Sequence, residues 1–155
     1  MIKIVIVHED NGLRRKLRAL ISATPDMEIV REVRTAIDAV DMAWKLKPDV
    51  LLLSADMQGP LNSFVTAVQI HGESPKTKVI FLTKEDALTM AEKGVDVLEK
   101  CQNAGARGYI TTDSPDGEFL DGIRQVMLGH NYYCVPAIMG AVRRMCDRAV
   151  RLAGE

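Results

Sequence analysis

Several apolar runs in the sequence end in polar residues whose side chains can bind metals, transfer protons or attack electrophiles. These residues are His8, Glu9 and Asp10 after the first run, Ser54 and Asp56 after a later one, and Thr83 and Thr112 after two more. Adjacent carboxylates suit a hard cation such as Mg²⁺, whereas an imidazole suits zinc or copper better. A serine hydroxyl acts as a nucleophile when an adjacent base activates it. Such groups form one site only if the fold brings them together.

The apolar runs have the composition of β-strands. Five of them recur along the chain, at Ile2–Val7, Glu28–Val33, Val50–Leu53, Lys78–Leu82 and Arg107–Ile110. The segments IVIV and VLLL within them are continuously apolar, which is typical of central parallel strands covered by helices on both faces. In open sheets of this kind, functional groups lie beyond the carboxyl ends of the strands. We therefore expect the polar residues that follow the strands to meet at one edge of the sheet.

Apolar residues at helical spacing fill the intervals between the strands. The first helix carries a stripe that includes Leu13, Leu17 and Ile21, and the second is predicted to begin after Thr35 and to end at Pro48. Three more are predicted over about residues 61–71, 84–103 and 115–128. Strands that alternate with helices imply a parallel sheet joined by right-handed crossovers.

Composition and charge restrict the class of protein. The 155 residues, of which 47% are hydrophobic and 26% charged, are enough for one buried core and typical of a globular domain. A net charge of -1 gives no argument for binding nucleic acid or an anionic membrane. No apolar run reaches the length of a membrane span. Cys101, Cys134 and Cys146 lack metal-type spacing, and we interpret them as buried free thiols in a reducing cytoplasm.

Taken together and in order, several segments resemble the receiver domains of two-component response regulators, most closely the NarL/FixJ type that precedes a helix-turn-helix. These segments are IVIVHEDNGLRRKLRALI, KPDVLLLSADMQG, KVIFLT, AGARGYITTDSP and FLDGIRQVMLGHNYY. The resemblance covers about residues 2–136. It implies an α/β fold of the flavodoxin-like, or CheY-like, class. The expected sheet is doubly wound and parallel, with five strands in the order 2-1-3-4-5, and an extra helix follows at the C-terminus.

The resemblance also implies roles for individual residues. In such receivers an aspartate after the third strand accepts a phosphoryl group from a histidine kinase, and a hydroxyl and a lysine after the next two strands contact that group. An aromatic residue in the fifth strand changes rotamer with the switch. Carried over, the phosphoacceptor position falls on Ser54, the hydroxyl on Thr83, the aromatic on Tyr109 and the lysine on Thr112. The hydroxyl and the aromatic are retained, and the aspartate and the lysine are replaced.

The acidic pair that holds Mg²⁺ in these receivers is degenerate here. Without a gap it falls on His8 and Glu9, and with a shift of one residue it falls on Glu9 and Asp10. We prefer the ungapped alignment, in which Glu9 is the retained carboxylate. Because the site has lost most of its hard anionic ligands, we expect no bound metal and no other cofactor.

The resemblance and the substitutions together predict an atypical receiver module that works without phosphorylation. A serine hydroxyl lacks the ready charge of a carboxylate, and phosphoryl transfer depends on a metal to offset developing charge. We expect no catalytic residues and no enzyme activity. Two alternatives stay open: a residual enzyme or metal site that uses His8 and Ser54, or control by phosphorylation of Ser54.

The predicted organisation is a receiver-like domain over residues 1–130 and a linker or dimerisation helix within 131–155. An apolar stripe and four arginines support that helix: Ile138, Val142, Met145, Ala149 and Leu152, with Arg143, Arg144, Arg148 and Arg151 on the other side. A surface helix docked on the domain is the alternative. The predicted role is in signal transduction and transcription regulation in the cytoplasm. We expect a homodimer, a histidine kinase or another regulatory protein as partner, DNA only through an output domain outside these residues, and no membrane.

Overall fold

The computed structural model describes residues 1–57, 61–84 and 97–154. Strands and helices alternate along these residues. The strands are β1 Ile2–Val7, β2 Met27–Val33, β3 Val50–Ser54, β4 Lys78–Thr83, β5 Gly108–Thr111 and β6 Tyr132–Tyr133. The helices are α1 Asn11–Ser22, α2 Ala36–Leu46, α3 Ser63–Glu73, α4 Val97–Asn103, α5 Asp116–Met127 and α6 Val135–Ala153.

The strands form one parallel sheet in the order β2-β1-β3-β4-β5-β6. The predicted fold class and the order 2-1-3-4-5 are confirmed. The sheet has one strand more than predicted, because Tyr132–Tyr133 pairs with β5 and places Tyr132 opposite Gly108. A strand of only two residues has too few side chains to show a period in the sequence.

The core lies on both faces of the sheet. Ile4–Val7 and Val50–Ser54 are fully or almost fully buried, as expected for strands covered on both sides. Successive side chains of a strand point to opposite faces, and Val5 therefore belongs to one apolar cluster while Ile6 belongs to the other. One cluster includes residues of α2, α3 and α4, and the other includes residues of α1 and α5.

The residues at the starts of three helices are of types that favour a helix N-terminus. Thr35 caps α2 as predicted and accepts a hydrogen bond from the backbone N–H of Asp38. Pro115 and Pro136 lie at the starts of α5 and α6, where the missing N–H of proline costs no intrahelical bond. Of the predicted fourth helix, the described part is α4, and residues 85–96 lie outside the described residues.

The C-terminal helix α6 follows β6 and contacts α4 and β5. From Met145 to Gly154 all of its described residues are exposed. The prediction of a buried thiol is therefore wrong for Cys146, whereas Cys101 and Cys134 are buried. Among the helices that the structure describes, none combines the length and the apolar composition that crossing a bilayer requires.

The packing of α5 against the sheet depends on Gly122. A Cβ atom at this position would lie 2.8 Å from Ile110 Cδ1 and 3.0 Å from Tyr132 Cδ1. We expect Gly122→Ala to lower the free energy of unfolding by about 1–3 kcal/mol, because buried neighbours must shift. Gly117, in the same helix, has no atom near the corresponding Cβ position, and Gly117→Ala should raise stability by about 0.5–1 kcal/mol. Urea unfolding of both variants checks this pair, and equal effects would contradict the packing account.

Candidate functional site at the carboxyl edge of the sheet

The polar residues that follow the strands do meet at the carboxyl edge of the sheet. Val7 of β1 pairs with Leu53 of β3, so that the residues after them, His8 and Ser54, end neighbouring strands. Thr83 ends β4, which is the next strand in the sheet. The predicted site residues therefore come from separate segments of the sequence and are placed together by strand order.

His8 is fully buried and its ring is tied to the turn that follows β1. The backbone N–H of Asp10 donates to His8 Nδ1 at 3.0 Å, and the guanidinium of Arg14 donates to the His8 carbonyl oxygen. Because Nδ1 accepts a hydrogen bond, the neutral ring carries its proton on Nε2. Nε2 has no hydrogen-bond partner among the described residues. Burial lowers the pKa of His8 below its ordinary value, and the neighbouring carboxylates of Glu9 and Asp10 only partly oppose this.

Asp10 faces away from the pocket and caps α1. Its carboxylate accepts from the backbone N–H groups of Gly12 at 2.8 Å and Leu13 at 3.3 Å, and these hydrogen bonds lower its pKa. Lys84 Nζ lies 3.8 Å from Asp10 Oδ2 in a solvent-exposed ion pair. Asp10 thus caps α1, whereas Glu9 is the carboxylate that lies near Ser54 at the end of β3. The ungapped alignment of the acidic pair stays a prediction.

Ser54, which we predict to stand at the phosphoacceptor position, is fully buried. Its hydroxyl lies 3.5 Å from Glu9 Oε1 and accepts from the backbone N–H of Asp56 at 3.3 Å. His8 makes its hydrogen bonds elsewhere, and its ring does not serve as a base for Ser54. The geometry therefore gives no support to a Ser-His-acid arrangement, which requires the imidazole to accept the proton of the hydroxyl.

The sequence placed Asp56 at this edge of the sheet but did not indicate what its carboxylate binds. Thr83 Oγ1 donates to Asp56 Oδ1 at 3.1 Å, and the backbone N–H of Lys84 donates to Asp56 Oδ2 at 3.2 Å. Two hydrogen-bond donors at the end of β4 thus bind one carboxylate from the loop after β3. The signal in the sequence was the presence of a carboxylate two residues beyond Ser54.

The remaining switch positions lie on β5 and directly after it. Tyr109 is fully buried, and its side chain lies close enough to Thr83 for the two to influence each other. Burial is the main reason that the pKa of Tyr109 lies far above its ordinary value. Thr112, at the lysine position, donates its backbone N–H to the Thr83 carbonyl oxygen at 2.8 Å. Thr83 is therefore hydrogen-bonded to Asp56 and lies beside the buried side chain of Tyr109.

A shallow cavity of about 320 Å³ opens beside these groups and is lined in part by Glu9, Arg34, Thr35 and Asp56. Its volume is at the lower end for small-ligand sites. Within residues 1–57, 61–84 and 97–154, no three His, Cys, Asp or Glu side chains are arranged to hold a metal ion. The absence of a metal or other cofactor stays a prediction.

Comparisons with known proteins agree with this geometry. A family model for the response regulator receiver domain matches residues 4–124. The transcriptional regulatory protein DesR of Bacillus subtilis is 34% identical over 141 residues, which cover 90% of this chain and 64% of DesR. The oxygen regulatory protein NreC of Staphylococcus aureus is 29% identical over 130 residues, which cover 84% of this chain and 57% of NreC.

Solved structures support the fold. A two-component response regulator of the LuxR family from Aurantimonas superposes with a TM-score of 0.81 at 19% identity, covering 93% of this chain and 97% of that one. The chain therefore belongs to the response regulator receiver family, and the resemblance found in the sequence is confirmed. It spans 64% of the length of DesR and 57% of the length of NreC.

The buried imidazole predicts a pH dependence of stability. Because the pKa of folded His8 lies below the ordinary value of 6.5, the unfolded chain binds a proton before the folded chain does. The free energy of unfolding should therefore fall as the pH drops below 6.5. Asn in place of His8 retains an acceptor for the Asp10 N–H and does not titrate, so the variant should lose this part of the slope.

Urea unfolding at about pH 7.5 and about pH 5.5 measures the slope. His130→Asn replaces an exposed histidine and is the matched control, which should keep the wild-type slope. An unchanged slope in His8→Asn would show that another group carries the dependence.

Proposed function

We propose that this chain is a receiver module that works without aspartyl phosphate, and that the carboxylate of Asp56 serves as its built-in anion. The observation that carries the proposal is the pair of hydrogen bonds that Asp56 accepts from Thr83 Oγ1 and from the N–H of Lys84. In receivers of this family the hydroxyl at the Thr83 position contacts the phosphoryl group. Here that hydroxyl already has an anionic partner within the chain.

Electrostatics also disfavours an added phosphoryl group. The Glu9 carboxylate lies 3.5 Å from the Ser54 hydroxyl, and the Asp56 carboxylate is bonded to Thr83 at the end of the neighbouring strand. Two like charges about 4 Å apart repel by about 1–4 kcal/mol, depending on how far water screens them. At the position where the family has a lysine, Thr112 supplies no positive charge to offset that of a phosphoryl group.

The proposed output is a change of interaction with another protein. Tyr109 is already buried inside the domain, and Thr83 beside it is bonded to Asp56. This arrangement of the switch residues needs no covalent modification. We infer that the module acts by dimerisation or by binding a partner or ligand. DesR is named a transcriptional regulatory protein, and we propose signal transduction leading to transcription regulation as the setting of this chain too.

The structure favours neither of the alternative functions. Phosphorylation of Ser54 by a kinase requires a hydroxyl that is accessible, and Ser54 is fully buried. A hydrolytic or metal site requires a His8 nitrogen directed at Ser54 or at a ligand set, whereas Nδ1 is committed to the backbone of Asp10. Neither alternative is therefore part of the proposal.

Phosphoryl donors provide the direct test. We expect acetyl phosphate with Mg²⁺ to leave the intact mass unchanged, and beryllofluoride with Mg²⁺ to leave the backbone amide spectrum unchanged. The triple variant His8→Asp, Ser54→Asp and Thr112→Lys restores the carboxylates and the lysine that the family uses, and it should gain one phosphoryl group. A phosphorylated wild-type chain would contradict the proposal.

The role of Asp56 predicts a second, independent effect. Asp56→Ala removes the acceptor of two hydrogen bonds, each worth about 1.5–3 kcal/mol when a charged group is involved. Since Lys84 is exposed to water, we expect a net loss of about 1–3 kcal/mol of stability and a change in the resonances of the Tyr109 ring. Asp41→Ala removes an exposed carboxylate paired with Lys45, and this control should cost less than about 0.5 kcal/mol.

Urea unfolding and NMR spectra of both variants make the measurement. Equal stability losses in Asp56→Ala and Asp41→Ala, with the Tyr109 resonances unmoved, would show that the Asp56 carboxylate does not hold the switch residues.

A further inference from the structure

We propose that a second copy of this chain packs along α6, and that the two helices form a short parallel coiled coil. This inference deepens the dimerisation part of the proposed function by naming the partner and the surface. It depends on the spacing, the exposure and the charges of α6, and not on the pocket at Ser54.

The apolar residues of α6 have the spacing of a coiled-coil seam. Val142, Met145, Ala149 and Leu152 follow one another at intervals of three, four and three residues. This alternation gives a mean period of about 3.5 residues, which keeps apolar side chains facing one partner helix. In heptad terms Val142 and Ala149 fall at a, and Met145 and Leu152 at d. A β-branched residue at a with Leu at d favours two strands.

The seam is not covered by its own domain. Val142 is 53% exposed, Met145 68% and Leu152 63%. The domain contacts α6 through α4 and β5, yet every described residue from Met145 to Gly154 is exposed. A helix that carries an apolar stripe into solvent gains from a partner that buries the stripe. An identical helix supplies a seam of the same period.

The charges of α6 favour the parallel orientation. Its four arginines, at 143, 144, 148 and 151, all lie off the seam. In an antiparallel pair that aligns Val142 with Leu152 and Ala149 with Met145, Arg148 of each copy would face Arg148 of the other, because g positions meet g positions. In a parallel pair, g positions meet e positions, and Arg148 faces Ala153 of the second copy.

The length of the helix decides how strong the dimer is. The 19 residues of α6 extend for about 28 Å, which gives fewer than the three to four heptads (about 21–28 residues) of an independent coiled coil. The area along such a seam is at or below the lower limit of about 1,200 Å² for specific interfaces. We therefore expect a reversible dimer that dissociates on dilution.

Sedimentation equilibrium of the full chain over a range of concentrations tests the seam. Met145→Glu places a charge at a d position and should weaken dimerisation at least tenfold. Val150→Glu is the matched control, since Val150 lies on the same helix, is 72% exposed and falls at position b, off the seam. This control should leave dimerisation unchanged. Far-UV circular dichroism checks that both variants keep the helix content of the wild-type chain.

Cross-linking tests the orientation. In a Cys146→Ser background, Met145→Cys should form a disulfide-linked dimer on oxidation, because d positions face each other in a parallel pair. A wild-type monomer at all concentrations, or a dimer that is equally sensitive to Met145→Glu and Val150→Glu, overturns the proposal. Dimers that do not cross-link at position 145 overturn the parallel orientation. The phosphoryl-donor test of the proposed function gives the same answer in each of these cases, so the two proposals can fail separately.

Discussion

The carboxylate of Asp56 joins the loop after β3 to the end of β4, and the arrangement of the site depends on this contact. Thr83 and the N–H of Lys84 both donate to it, and the buried Tyr109 lies beside Thr83. Hydrogen bonds to charged groups are worth about 1.5–3 kcal/mol each. Since the anion belongs to the chain, these donors are satisfied without any added group.

Two predicted substitutions around this contact, His8 and Thr112, each replace a charged residue of the family with a neutral one. A buried carboxylate at the His8 position would face Glu9 without a dication to offset the repulsion, and desolvating such a charge costs several kcal/mol. The neutral imidazole of His8 avoids that cost and accepts the Asp10 N–H. Thr112 in place of lysine likewise avoids an ammonium group that would lack its phosphoryl partner. Each replacement removes a charge whose partner is also absent.

The fold could be predicted from the sequence because the apolar pattern of each short segment indicates a strand or a helix, and their alternation indicates the arrangement of the sheet. Continuous apolar runs marked β1 and β3, and the alternation with helices gave the parallel sheet. The pairing of Tyr132–Tyr133 with β5 could not be predicted, since two residues show no period. At the site, strand order brought His8, Ser54 and Thr83 together as expected. The role of the Asp56 side chain depends on the direction of one rotamer, which residue spacing does not specify.

The backbone around Tyr109 gives a physical link between the pocket and α6. The N–H of Cys134, the residue that precedes α6, donates to the Tyr109 carbonyl oxygen at 3.0 Å. Cys134 and Tyr109 also belong to the same buried apolar cluster. Because close-packed cores resist small displacements, a Tyr109 ring that left this cluster would disturb the residues that anchor the start of α6. A contact of this kind carries a signal only if Tyr109 has two arrangements. We propose that the hydrogen bonds of Asp56 favour one of them, which would suit a helix whose pairing responds to concentration or to a partner and not to phosphate.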